Sequence, residues 1–264
     1  RGTGCEDTVM DDPGANTMST SELLARLAVA EGERDRLRAD FERFISAISH
    51  DIRGPLQVQK GLISLMLSQA SGQVDKRSRR FLDLIDQSAD RLDAMVSALV
   101  EWSRVSAAKS ALQPVDVAAL RVALEFDLRD RLQAAGTQLS WGDVPQRLFG
   151  DARQLRRALF LLVDNALTHH GPGEPKVQLT MEPAGEGWRL TVTDDGPGLP
   201  AEMFERVLEP FVRLNHEIES RAAGMGLTIC RRIVQRHCGE MSLASTPGQG
   251  AAFSFTLPSG STST

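Results

Sequence analysis

Two long apolar stripes dominate the first half of the chain. Leu23, Leu27, Ala30, Leu37, Phe41, Phe44 and Ile48 recur at alternating steps of three and four, with Arg34 interrupting one position. That is the spacing of a coiled-coil seam on a long helix. After Ile48 the step becomes four and four, through Ile52 and Leu56. Such a step locally unwinds a supercoil. It falls across His50 and Asp51 and turns His50 outward from the seam. Pro55 lies in the same run, cannot donate to the carbonyl of Asp51 and crowds it, so a bend or loosened turn is expected beside His50. Ser71-Gly72 breaks the helix. A second helix, from about Lys76 to Ala108, carries Phe81, Leu84, Ile85, Leu92, Met95, Val96, Leu99 and Trp102 on one face. Two antiparallel helices with one stripe each cannot bury both stripes alone. A dimeric four-helix bundle would cover them. A hairpin packed on the other domain is the alternative.

From about Leu112 the pattern becomes mixed α/β. A helix is expected over Val117–Ala134 with Asp116 as N-cap, and another over Ala152–His169. Strands are expected near Gln138–Trp141, Arg147–Phe149, Lys176–Met181, Trp188–Thr193, Met241–Ala244 and Ala252–Leu257, with a further helix starting near Met225. The fold class is therefore α+β multidomain: an antiparallel helical hairpin forming a dimeric four-helix bundle, followed by an α/β sandwich. The divisions are 1–19, expected to be a disordered tail or linker; 20–110, the helical domain; 111–258, the α/β domain; and 259–264, a flexible C-terminal tail.

Composition excludes several classes. A net charge of −5 argues against a nucleic-acid binder that works by phosphate neutralisation. Cys5, Cys230 and Cys238 form no CxxC pair, which fits free thiols in a reducing compartment and a cytoplasmic location. The longest uninterrupted apolar stretch, Ala158 to Val163, is too short to span a bilayer, and no signal peptide is visible. The chain begins with arginine rather than methionine, which leaves room for a missing upstream sensor and a membrane anchor in a longer parent protein.

Four short stretches carry chemistry. The first is SHDIRGPL, around His50. Neutral imidazole has a lone pair at physiological pH and is a competent phosphate nucleophile. Adjacent Asp51 can reach the other ring nitrogen, fix the tautomer and accept a proton. The second is LVDNAL, where the amide oxygen of Asn165 could complete a magnesium shell. The third is TDDGPGLP. Asp194 ends a strand and can accept from an exocyclic amine, and Gly196 and Gly198 let the backbone turn closely. The fourth is Gly224-Met225-Gly226-Leu227, which opens a helix whose free N–H groups and positive dipole end suit phosphate.

In this order, the stretches resemble the transmitter region of sensor histidine kinases: a phosphoacceptor helical hairpin followed by a GHKL-type ATP-binding domain. The resemblance covers roughly residues 40 to 258. It implies that His50 is phosphorylated with help from Asp51, that Asn165 holds Mg²⁺, that Asp194 reads adenine, and that His169 flanks the nucleotide. The segment LEPFVRLNHEIESRAAG resembles the family's phenylalanine box and lid, with Phe211 packed against the domain as a lid hinge and Arg213 near the phosphates. Lid closure would exclude water and place the γ-phosphate. The resemblance implies ATP and Mg²⁺ as cofactors. It also implies a homodimer through the hairpins and a response-regulator receiver domain as partner. PFVRLN and the tract near His50 also resemble the phytochrome-associated branch.

The sequence departs from the family at several positions. Asp51 stands where glutamate is frequent. Gly54 replaces a threonine or asparagine implicated in dephosphorylating the partner, so weak phosphatase activity is expected. Leu161 replaces a second asparagine, Thr168 a lysine or arginine, Ala222 a glycine, and Ala251 a threonine or serine. These losses keep open a degenerate scaffold with little ATP turnover. A gyrase-like or mismatch-repair ATPase is a further alternative, opposed by the phosphoacceptor segment and by Leu161 one turn before Asn165, where a glutamate base is absent. His237 is expected to cap a helix end, and Cys230 and Cys238 to be buried free thiols.

Overall fold

The computed structural model describes residues 20–69, 75–107, 112–171, 173–212 and 223–259. Arg213, Ala222 and the Ser71-Gly72 break lie outside the described residues, as do the side chains of Leu23, Leu27, Ala30, Arg34 and Leu37. The chain divides into two compact units, one ending at Phe41 and one over Glu42–Thr264. Of the first, the described part is the start of helix α1 (Thr20–Gln69).

Within the second unit, α1 runs beside α2 (Lys76–Ala107). Asp75 caps α2 by accepting the N–H groups of Arg77 and Ser78, each at 2.8 Å; the Ser78 N–H in particular holds the Asp75 carboxyl below its ordinary pKa. Arg53 donates to Asp93 and to Ser97, both at 3.3 Å, and Lys60 pairs with Asp90. These contacts fix an antiparallel register. Helix α1 continues on both sides of Pro55, whose ring is exposed, so the proline does not end the helix beside His50.

The apolar stripe read from α1 is not the face that meets α2. Ile45, Ser49, Leu56 and Ile63 are buried, whereas Phe44 (59% exposed), Ile48 and Ile52 are not. Helix α1 therefore has two apolar faces, and the seam spacing of Phe44, Ile48 and Ile52 marks the uncovered one. Helix α2 is divided along its length. Ala98, Trp102 and Val105 pack against the core of the α/β half, while Phe81 (53% exposed), Leu84, Ile85 and Leu92 are open.

The α/β half begins with β1 (Gln113–Asp116), α3 (Val117–Ala135), β2 (Leu139–Trp141), β3 (Arg147–Gly150) and α4 (Ala152–Thr168). It continues with β4 (Val177–Ala184), β5 (Gly187–Asp194), a 3₁₀ turn at Ala201–Met203, α5 (Phe204–Val207), α6 (Gly226–Arg236), β6 (Met241–Ser245) and β7 (Ala251–Leu257). The main sheet has the order β2-β4-β5-β7-β6, with β2 and β4 parallel and the other neighbours antiparallel. β1 and β3 form a separate antiparallel pair. Strand β7 buries every second residue, Ala251, Phe253, Phe255 and Leu257, as a half-covered strand must. That face meets Leu124 and Leu128 of α3, Leu155, Leu159 and Leu162 of α4, and Ile229 and Ile233 of α6, all in one core. Truncating one such leucine to alanine costs about 2–5 kcal/mol.

The caps follow the sequence. Asp116 accepts from the N–H groups of Ala118 and Ala119 at 2.8 and 3.3 Å, and Asp151 from Arg153 and Gln154 at 3.0 and 3.1 Å. Gly136 ends α3 at φ 68°, the left-handed region that glycine enters without a Cβ penalty.

Candidate functional site

A cavity of about 430 Å³ opens between α4, the β5 end, the start of α6 and α2. Asp194, the last residue of β5, anchors one wall. Its Oδ1 accepts the N–H groups of Gly196 (2.9 Å) and Ala251 (3.2 Å), and Oδ2 accepts no hydrogen bond among the described residues. Burial pushes the carboxyl above its ordinary pKa, against those two N–H groups. The turn below it admits no side chain: a Cβ on Gly198, at φ 64°, would sit 2.2 Å from the Thr246 carbonyl oxygen, and one on Gly250 would sit 2.0 Å from the Asp194 carbonyl oxygen. Gly196 is buried, and a Cβ there would press on Asp194 Oδ1 at 2.8 Å.

Helix α4 supplies the second wall through Arg157, Leu161, Asp164, Asn165 and Thr168, with His169 at its C-terminal end. These positions recur at helical spacing on one face. Leu161, at the position where the resemblance leads one to expect an asparagine, fills space: a Cβ on Gly226 would lie 3.6 Å from Leu161 Cδ2. The third wall is Gly224, Met225, Gly226 and Leu227. Gly224 takes φ 72°, and Met225 is the N-cap of α6, so the free N–H groups of this helix start border the cavity. The expected site residues Asn165, His169, Asp194, Gly198, Gly224, Met225, Gly226 and Leu227 are thus brought together, with Gly196 directly beneath Asp194.

Phe211 differs from expectation. It is 39% exposed and absent from the core, while Leu208 and Val212 are the neighbours that turn inward. Its backbone has φ 64°, a strained conformation for an aromatic residue. Its N–H donates to the Gly224 carbonyl at 2.9 Å.

His50 lies on α1 with its side chain 91% exposed. Its Nδ1 is 3.3 Å from Asp51 Oδ1. The Arg53 and Lys60 contacts place His50 level with the α2 turn around Ala98–Glu101, and both Ala98 and Glu101 line the cavity. Residues not singled out from the sequence therefore border the site. Glu101 pairs with Arg157 across the gap between α2 and α4; outside the cavity, α2 is also tied to α6 where Ser106 receives Arg232 on its hydroxyl and Arg236 on its carbonyl.

His237 is buried and caps its helix as expected: Nδ1 donates to the Ile233 carbonyl at 2.8 Å, and Nε2 accepts the Asp151 N–H at 3.0 Å. Cys230 is buried and its thiol is pushed up to about 12. Cys238, expected to be buried, is exposed because it takes the left-handed position after the end of α6, at φ 55°. No described helix is long and apolar enough to cross a membrane.

A hairpin with an exposed histidine, followed by a sheet-and-helix domain with a glycine-bordered cleft, defines the class: a phosphoacceptor module joined to an ATPase module. Residues 42–108 match the His Kinase A (phospho-acceptor) domain, and residues 150–261 match the histidine kinase-, DNA gyrase B- and HSP90-like ATPase. The chain is 30% identical over 255 residues to the adaptive-response sensory kinase SasA of Synechococcus sp. (strain JA-3-3Ab), covering 93% of this chain and 67% of that protein. It is 28% identical over 240 residues to the phytochrome-like protein Cph1 of Synechocystis sp., covering 91% of this chain and 32% of that protein. The crystal structure of full-length ShkA in complex with AMPPNP matches with a TM-score of 0.60 at 26% identity, over 82% of this chain and 45% of that one. The chain belongs to the sensor histidine kinases. It spans about a third of Cph1 and about two thirds of SasA. The comparisons give no support to the degenerate-scaffold alternative, and the His Kinase A match excludes a gyrase-like or mismatch-repair ATPase.

Proposed function

We propose that this chain is the transmitter core of a two-component kinase that phosphorylates itself on His50 and passes the phosphoryl group to a response-regulator aspartate. Residues 20–110 act as the dimerisation and phosphotransfer domain and residues 111–258 as the ATP-binding domain. The observation that carries this is the level register of exposed His50 with the α2 wall of the cleft.

ATP lies with adenine against Asp194, whose Oδ2 accepts the exocyclic amine, and with its phosphates toward the α6 start. Asn165 is the side chain that would hold Mg²⁺, a hard cation that takes a neutral amide oxygen and keeps several waters; when bound, the ion neutralises charge on the phosphates. His50 Nε2 forms a bond to the γ-phosphorus as the bond to the bridging oxygen breaks, and ADP leaves. Asp51 holds the Nδ1–H tautomer and takes that proton as the ring becomes positively charged. The uncovered faces, Phe44, Ile48 and Ile52 on α1 and Phe81, Leu84, Ile85 and Leu92 on α2, meet a second copy in a four-helix bundle. Large exposed apolar patches of this kind mark association surfaces.

Titration with ATP and magnesium tests the cleft. Asp194→Asn keeps its one oxygen for the Gly196 and Ala251 N–H groups and puts an NH2 where Oδ2 would accept the exocyclic amine, and weakens ATP by about tenfold or more. Equal affinity in the variant and the parent contradicts the assignment of adenine to Asp194.

A further inference from the structure

The side chains lining the cleft are poorly matched to a polyphosphate. The charged groups among them are acidic Glu101, Asp164 and Asp194 and basic Arg157, and Arg157 already gives two N–H bonds to Glu101. A nucleotide tail needs cations and N–H donors aimed at it. Helix α3 supplies Arg131, which is not itself a lining residue but holds two that are, Asp164 and Thr168. Arg131 Nε lies 2.6 Å from Asp164 Oδ1, and its Nη2 donates to Thr168 Oγ1 at 2.8 Å. Thr168 Oγ1 in turn donates to the Asp164 carbonyl oxygen at 2.7 Å. Asp164 and Thr168 stand one turn apart on the α4 face that lines the cleft, and Asn165 lies between them in sequence on that face. The guanidinium is held from two sides at this edge. Its Nη1 makes no hydrogen bond among the described residues.

We propose that Arg131 is a phosphate-binding residue, gripping the charged tail of the nucleotide through Nη1 at the Asp164–Thr168 edge. The proposal rests on the reading of this cleft as an ATP site. Two consequences follow from the geometry. An arginine already fixed at two points loses little freedom when it takes a phosphate oxygen. Arg131 also neutralises Asp164, whose carboxylate would otherwise repel the tail at close range.

The test is calorimetric titration of the whole chain with ATP and, separately, with AMP, in magnesium. Arg131→Ala weakens ATP by about tenfold or more and changes AMP by less than about twofold, because only the outer phosphates are gripped. Adding Asp164→Asn to Arg131→Ala restores part of the loss by removing the exposed carboxylate. The Arg131 side chain is half-exposed, so its removal leaves the thermal midpoint close to that of the parent, which is measured alongside. Equal losses for ATP and AMP, no loss for either, or no recovery in the double variant overturn the proposal. A parent chain that binds neither nucleotide overturns the ATP reading itself, a separate outcome seen before any variant is compared.

Discussion

Glu101 of α2 and Arg157 of α4 form a two-bond ion pair, 2.5 Å from Nε to Oε1 and 2.7 Å from Nη2 to Oε2, and both residues border the cleft. The pair ties the wall of the nucleotide-binding half to the helix that runs beside His50. It also occupies the one arginine or lysine among the described lining residues. Both side chains are partly exposed, so the pair itself contributes about 1 kcal/mol or less.

Glu101→Gln removes a negative charge from a cleft that receives a strongly negative ligand, and it frees Arg157. Repulsion falls and a donor is released, so ATP binds about threefold more tightly at low salt, with the gain shrinking as salt screens it. Titration at two ionic strengths measures this. An unchanged or weaker affinity means that the pair supports the nucleotide rather than competing with it.

Gly54 is exposed on α1, and a Cβ there meets nothing within 4 Å. Gly54→Thr therefore fits without rearrangement and places a hydroxyl one turn after His50, where it can orient a water. Dephosphorylation of the partner regulator is slow in the parent and increases by about tenfold in the variant, within the ordinary range for one added acid–base or orienting group. A fast rate already present with Gly54 contradicts this account of the residue.

His237 makes stability depend on pH. Burial lowers its pKa from the ordinary 6.5; the Ile233 carbonyl and Asp151 pull upward and Arg236 pushes down, without reversing the shift. The folded state thus prefers neutral imidazole. Between the lowered folded value and 6.5 the unfolded chain binds more protons, so stability rises with pH through that window and is lost as pH falls through it. Protonation also destroys the bond that Nε2 accepts from Asp151 N–H. Urea midpoints at about pH 7.5 and pH 5.5 measure the loss, and His237→Gln, less stable at the higher pH, loses less between the two. An equal loss in both chains assigns the pH dependence to other groups.

Much of this was legible in the residues because the signals were local. The cap at Asp116, the alternation in β4 and β5 and the glycine turn after Asp194 each rest on a few consecutive positions. β1 was missed because it has four residues, contains Pro114 and buries only Val115; its identity as a strand comes from β3 across from it. The two faces of α1 could not be ranked from spacing, since either stripe can be the inner one until α2 sets the register through Asp93, Ser97 and Asp90. The expectation that Phe211 packs against the domain comes from the family resemblance and that for Cys238 from residue type; both residues take left-handed backbones and lie exposed. Glu101 and Arg131 carry no motif; only the packing of α2 against α4 brings Glu101 to the cleft, and only that of α3 against α4 brings Arg131 onto the lining residues Asp164 and Thr168.

The central claim is that the exposed imidazole of His50 receives the terminal phosphate of a nucleotide held in this cleft. Incubation with γ-labelled ATP and magnesium tests it directly, using the parent chain and His50→Gln. The account predicts an acid-labile, base-stable label on the parent and none on the variant. Equal labelling of the two chains would place the phosphoryl group elsewhere and contradict it.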